Sequence, residues 1–156
     1  VLATPGHASN HLAFALLEEN ALFTGDHIMG WSTTVVIPPD GDMDDYLDSL
    51  ERVRQGGFET LWPTHGPPVT DVAPFLIAYR DHRLAREAQI VARLEAGDRT
   101  IAEMVPLLYA AVDRRLWPAA SLSVLAHLLR LVRHGIVAGT PDDDGQPGPT
   151  SVFTLV

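Results

Sequence analysis

The apolar positions of this chain follow two rhythms, and the change comes about halfway along. Residues 12–18, LAFALLE, are apolar almost without interruption, and 21–24, ALFT, follow after a Glu19-Asn20 pair. Short unbroken apolar runs bounded by turn residues read as strands, and the lack of alternation predicts cover on both faces. The pair between them predicts a tight turn. Residues 25–41 are rich in glycine and proline and have no period, which predicts an irregular loop. Met43–Gln55 then shows helical spacing, with Tyr46, Leu47, Leu50 and Val53 on one stripe, Asp42 placed to cap the start and Gly56-Gly57 to stop it. Residues 58–68, FETLWPTHGPP, predict a short strand running into a Pro/Gly loop.

Beyond that loop the period is helical. Residues 72–96 predict a long helix with Pro74 in its first turn, where proline is tolerated, and Gly97 as its end. Residues 100–109 predict a shorter one, with Pro106 as a kink or stop. Residues 117–134 predict a third, with Leu122, Leu125, Leu129 and Val132 as its apolar face and Gly135 after it. IVAG and SVFTLV, around TPDDDGQPGP, predict a β-hairpin. Three helices followed by a two-stranded wing is the order of a winged helix-turn-helix.

Charge divides the chain at the same place. All 11 basic residues are arginine, and the whole net charge of −9 sits in residues 1–79, which hold 2 arginines against 11 acidic residues. Residues 80–156 balance, with 9 of each sign. Two structural units are expected, 1–79 and 80–156. An acidic first unit argues against wrapping nucleic acid over a broad basic surface. No stretch reaches the ~18 consecutive apolar residues of a membrane span, so no membrane partner is expected and a cytoplasmic location is the default. The absence of cysteine excludes disulfides and thiolate metal sites.

Three short pieces carry the candidate chemistry: TPGH ending at His7, TGDH containing Asp26, and PTHG containing His65. Each sets a potential ligand just past a strand, in a turn with glycine or proline beside it. Imidazole and carboxylate are the ligands zinc takes when thiolates are absent. Taken singly, each has an ordinary loop reading, and for His27, His82, His127 and His134 that reading is kept: a surface or hydrogen-bonded histidine. His11 is a weak candidate for steadying the loop of His7, with a plain loop histidine as the equal alternative. Trp31, Ser32, Thr33 and Thr34 follow Asp26 closely enough to line a substrate cleft, with Ser32 and Thr33 as substrate-binding candidates, but simple loop packing is the favoured reading of this run.

In their order along the chain, Thr4-Pro5-Gly6-His7, Gly25-Asp26 and Thr64-His65-Gly66 resemble the second half of the metallo-β-lactamase superfamily. LFTGDHIMGWSTT and the C-terminal winged helix resemble its β-lactamase-like protein 2 branch, whose members include endoribonucleases acting on single-stranded RNA. The resemblance implies an α/β (α+β) fold: the second half of an αββα sandwich, then a winged-helix domain. It implies that His7 ligates a first metal ion, His65 a second, and that Asp26 bridges them, the ions being zinc, with manganese as the alternative. Their chemistry would be hydrolysis by a metal-activated water.

The superfamily's remaining ligands come from an upstream His-x-His-x-Asp-His motif, which these residues do not contain. That motif would also supply the carboxylate that orients the nucleophile. The abrupt opening at Val1-Leu2-Ala3 reads as the interior of something longer, so the chain alone is expected to bind metal poorly and to be inactive. The expected substrate is a small ester or single-stranded RNA, with the winged helix tilting the expectation toward an RNA phosphodiester. The alternatives are a thioester or lactone hydrolase, and a non-catalytic winged-helix module or fragment. As a nucleic-acid binder, the third helix would present His127, Arg130 and His134, but Asp142-Asp143-Asp144 in the wing would repel phosphates, so specific duplex DNA binding is not expected. An uncovered sheet face would favour homo-oligomers.

Overall fold

The apolar run at the front of the chain becomes the middle of a mixed sheet. β1 (Leu2–Ala3), β2 (Leu12–Leu16), β3 (Ala21–Gly25) and β4 (Thr60–Pro63) lie in that order. β1–β2 and β2–β3 are antiparallel, with Leu2 opposite Ala13 and Ala15 opposite Leu22, whereas β4 joins β3 in parallel. The β2–β3 connection is longer than a two-residue turn: a 3-10 turn (Leu17–Glu19) and then Asn20 at φ 48°, a left-handed conformation asparagine tolerates. The parallel β3–β4 pair needs a crossover, and α1 (Met43–Gln55) lies within it. Asp42 caps α1 by accepting from the amides of Asp44 and Asp45.

This computed structural model describes all 156 residues, which divide into two compact units, Val1–Arg83 and Leu84–Val156. α2 (Val72–Glu95) runs through the division. In the first unit, Ala13, Leu22 and Leu61 point from one face of the sheet into a core shared with Leu50 and Val53 of α1 and Leu76 and Tyr79 of α2. The opposite face carries Leu12, Phe14, Phe23 and Trp62, each 43–53% exposed. The cover on both faces read from LAFALLE is therefore corrected. Within these residues β2 alternates, with Ala13 buried and Phe14 exposed, because both helices of this unit pack on the same side.

In the second unit, Thr100 and Glu103 form a capping box that starts α3 (Ile101–Leu108). Pro106 does not break α3, since it falls in the last turn and the helix ends two residues later. α4 (Trp117–Arg133) follows a 3-10 turn at Arg114–Leu116. Its buried side is Val124, Leu125, Leu128 and Leu131, joined by Ile90 and Leu94 of α2 and Met104 of α3. The expected stripe is thus rotated: Leu122, Leu129 and Val132 are only half-buried. α4 is apolar around much of its circumference, so helical spacing could be drawn along more than one line. β5 (Val137–Gly139) pairs with β6 (Phe153–Leu155) to form the wing.

Of the polar residues expected to face nucleic acid at α4, His134 is exposed at the helix end, whereas His127 and Arg130 turn inward. His127 is fully buried, with Nδ1 3.6 Å from Glu87 Oε2, and Arg130 donates to Glu87 Oε1 at 2.6 Å. A charged Glu87 inside a helical unit needs such partners, and they hold its pKa below the usual glutamate value despite a larger opposing push from burial. No helix is long and apolar enough to cross a membrane.

The sidedness of the sheet is testable one residue apart. Leu22→Ala should cost about 2–5 kcal/mol in urea unfolding. Phe23→Thr, on the open face of the same strand, should cost less than about 1 kcal/mol.

Candidate metal centre

Strand direction assembles the candidate site. β2 is antiparallel to both β1 and β3, and β4 is parallel to β3. β1, β3 and β4 therefore run the same way, and the segments that leave them emerge at one edge of the sheet. Those segments carry His7, Asp26 and His65 in turn. Just before Asp26 the β3–β4 register slips: Phe23 faces Trp62 and Gly25 faces Pro63, leaving Thr24 without a partner. A bulge there bends the strand and re-aims the turn that carries Asp26. The Thr24 hydroxyl, fully buried, secures the turn by donating to Ile28 O at 3.0 Å.

The three side chains meet on one carboxylate. His7 Nε2 lies 3.9 Å from Asp26 Oδ2, and His65 Nε2 lies 3.5 Å from Asp26 Oδ1. Asp26 Oδ1 is buried and has no hydrogen-bond partner. The two imidazoles address different oxygens, and no three histidine, aspartate or glutamate groups converge as a set to hold an ion. This arrangement sets one imidazole beside each Asp26 oxygen.

Each imidazole is held from behind. His7 Nδ1 lies 2.6 Å from Val35 O, and a carbonyl only accepts, so Nδ1 carries the proton and Nε2 the lone pair. The chain reaches His7 through Gly6 at φ 129°, where a Cβ would sit 2.3 Å from Tyr46 Cα; only glycine fits. The His65 loop is fixed through its backbone, with Gly30 N donating to His65 O at 2.8 Å. That contact is close enough that a Cβ on Gly30 would lie 2.2 Å from Pro67 O. Trp31, 71% exposed, lies parallel to the His65 ring with centroids 6.4 Å apart.

The other candidates divide. His11 does not reach Asp26: its Nδ1 pairs with Thr4 Oγ1 at 2.8 Å, and its ring stands 6.3 Å from that of His7. Burial and then the charge of His7 push its pKa down. The exposed Ser32 turns its hydroxyl to Met29 Sδ at 3.8 Å, and Thr33 is half-buried with no side-chain hydrogen bond. Thr34 is the residue of that run that enters the site. Its hydroxyl donates to Asp26 O at 2.5 Å and lies 3.4 Å from His7 Nδ1.

His27, read from sequence as an ordinary loop histidine, is fully buried. Its ring packs 4.8 Å from that of Tyr46, with neither nitrogen hydrogen-bonded. Burial, then the charges of His11 and His7, push its pKa down to about 3. The sequence places Tyr46 on the apolar stripe of α1 without its polar role, and does not single out Ser49, Tyr79 or Arg83. Their signal is polar residues at helical spacing on the inner faces of α1 and α2, where apolar ones are expected. Tyr46 and Ser49 donate to His27 O and Pro5 O. The Tyr79 hydroxyl accepts from Met29 N, and its one proton is shared between Met29 O and Ser32 O.

A family model described as the metallo-beta-lactamase superfamily matches residues 1–65, and one described as the beta-lactamase associated winged helix domain matches residues 100–145. The chain is 37% identical over 119 residues to an atrochrysone carboxyl ACP thioesterase of Aspergillus chevalieri, covering 71% of this chain and 37% of that protein. It is 33% identical over 138 residues to a beta-lactamase-like protein 2 homolog of Caenorhabditis elegans, covering 88% and 45%. Among solved structures, a metallo-beta-lactamase family protein from Thermus thermophilus superposes with a TM-score of 0.82 at 28% identity, over 100% of this chain and 48% of that one. The chain spans less than half the length of each of these relatives.

The buried His27 gives stability a defined pH dependence. Its pKa is about 3 folded against 6.5 in the ordinary state. Between those values the unfolded chain binds the extra proton, so stability rises with pH. The neutral ring's contribution is complete above about pH 6.5 and drains away toward pH 3, at no more than about 1.4 kcal/mol per pH unit. His27→Leu should flatten that part of the acid limb in denaturant titrations between pH 4 and 7.5.

Proposed function

The chain belongs to the metallo-β-lactamase superfamily, and we propose that it supplies half of a two-ion hydrolytic centre that acts on an acyl thioester. The observation that carries this reading is the Asp26 carboxylate, which has one imidazole beside each oxygen and whose Oδ1, nearer His65, is buried without a hydrogen bond. A carboxylate oxygen out of water with no donor is costly, and a cation relieves that cost. His7 would hold one ion, His65 the other, and Asp26 both. Two nitrogens and a shared carboxylate suit zinc better than harder ions such as manganese. When bound, the ions supply Lewis-acid chemistry and bring a water near its pKa at neutral pH.

This chain's residues do the positioning. His7 presents Nε2 because Val35 O occupies its other nitrogen. His65 is set by the Gly30 contact, and Asp26 by the Thr24 bulge and the Thr34 hydroxyl. Two ligands per ion fall short of the four that zinc takes, so the remainder belong to the preceding half of the fold. The open apolar face of Phe14, Phe23 and Trp62 suits a second sheet layer there.

Charge favours a thioester over RNA. A polyanion calls for arginines that are free to meet phosphates, whereas those of the first unit already have acceptors. Arg52 donates to Ala3 O, Arg54 to Glu51, Arg80 to Asp81 and Arg83 to Thr34 O. Trp31 beside His65 offers apolar surface to an acyl chain. The thioesterase named among the relatives supports the same class.

The test uses the chain joined to the half-fold bearing the upstream ligands, loaded with zinc. Wild type should bind two zinc ions per chain and hydrolyse an acyl-coenzyme A thioester, with little action on single-stranded RNA. Asp26→Ala should fall below one ion per chain and lose at least about 100-fold in kcat/KM. Thioester hydrolysis that survives in Asp26→Ala, or RNA cleavage with the thioester untouched, overturns the reading.

A further inference from the structure

The first unit buries an arginine with no carboxylate partner. Arg83, on α2, is 4% exposed. Its guanidinium sits over the Tyr46 ring at 5.1 Å and donates through one terminal nitrogen to Thr34 O, while Nε is buried without a hydrogen-bond partner. Taking a guanidinium out of water without a counter-charge is expensive, and the cation–π contact offsets only part of that cost. Leucine or methionine at this position would fill the same space with no such cost. The one thing they could not do is hold a carbonyl.

That carbonyl belongs to the peptide between Thr34 and Val35, and both residues touch the His7 ring. Val35 O accepts from His7 Nδ1 at 2.6 Å. Thr34 Oγ1 gives its own proton to Asp26 O, so it can only offer a lone pair to His7 Nδ1, 3.4 Å away. The proton on Nδ1 is therefore shared between two acceptors on a single dipeptide, and Arg83 is the side chain that anchors this dipeptide to the helical layer. We infer that Arg83 is a positioning residue: through the Thr34-Val35 peptide it fixes the Nδ1–H tautomer of His7 and so keeps the Nε2 lone pair turned toward Asp26. This rests on the proposed metal centre for its purpose, but its geometry is independent of any substrate.

The first reading is long-range proton–nitrogen NMR of the histidine rings of this chain at about pH 8, where an ordinary imidazole is neutral. Wild type should show His7 as a single Nδ1–H tautomer. In Arg83→Met the ring should distribute between both tautomers, and in Arg83→Lys, which restores a donor, the shift should be partly reversed. Leu22→Ala separates positioning from stability. It opens a cavity in the sheet core, lowering stability, yet removes no hydrogen bond to Arg83, Thr34 or Val35 and should leave the His7 tautomer unchanged. A His7 tautomer that is unaltered in Arg83→Met overturns the inference, as does one that shifts equally in Leu22→Ala.

Zinc titration of the two-half protein gives the second reading. Loosening His7 should weaken zinc binding about 10- to 100-fold in Arg83→Met. The two proposals fail separately. A tautomer that moves in Arg83→Met while His7→Ala leaves zinc binding intact retires the metal centre and keeps the positioning role. Zinc that depends on His7, Asp26 and His65 but not on Arg83 does the reverse.

Discussion

The candidate centre depends on a problem of attachment: the loops that carry its ligands contain little that can pack. From Thr4 to His11 the chain is small or polar, and from Asp26 to Gly41 only Ile28 and Val36 are fully buried apolar side chains, so apolar burial alone leaves most of its course unfixed. The helices instead take hold of backbone oxygens. From α1, Tyr46 and Ser49 reach His27 O and Pro5 O; from α2, Tyr79 and Arg83 reach Met29 O, Ser32 O and Thr34 O. A net hydrogen bond contributes only about 1 kcal/mol. Its value here is directional, because each donor specifies where one peptide plane lies. The Gly6 backbone resting on that of Tyr46 completes the clamp, since any side chain at residue 6 would lift the His7 loop away.

Gly6→Ala makes the dependence on that clamp measurable. The substitution meets both a positive φ and backbone atoms that cannot yield, so it should cost at least about 2 kcal/mol. It should also broaden the His7 ring signals more than those of the distant His134. Normal stability with an undisturbed His7 would show that the loop is held by something other than its seat on α1.

Elements whose signal is local were legible in the sequence. Asp42 and Thr100 announced helix starts, Gly97 and Gly135 helix ends, and three strand-end turns announced His7, Asp26 and His65. The meeting of those three follows from strand direction, which local pattern does not encode; the resemblance to a known family supplied it. The hidden part is long-range and polar. Nothing near Arg83 says that it will be buried under Tyr46, 37 positions upstream, and nothing near His127 says that it will turn inward to Glu87. A run such as LAFALLE could not report how many of its faces these residues cover, because period-2 alternation vanishes when both faces are apolar, whether or not both are covered. In α4 the same excess of apolar residues blurred the inward line by about one position.

The two units use their charged residues differently, and that bears on what the protein can recognise. In the second, Glu87 draws His127 and Arg130 inward, and Arg115 is paired with Asp113. In the first, every arginine already serves an internal acceptor, while the acidic surplus of residues 1–79 stays with the sheet edge and α1. On the proposed reading such a field would draw divalent cations toward Asp26 and hold a polyanion off, so the charge that suits the proposed ions would disfavour a phosphodiester chain as their substrate. A carbonyl carbon with no formal charge meets no such barrier, and an exposed tryptophan stacked along His65 gives its apolar neighbours somewhere to lie.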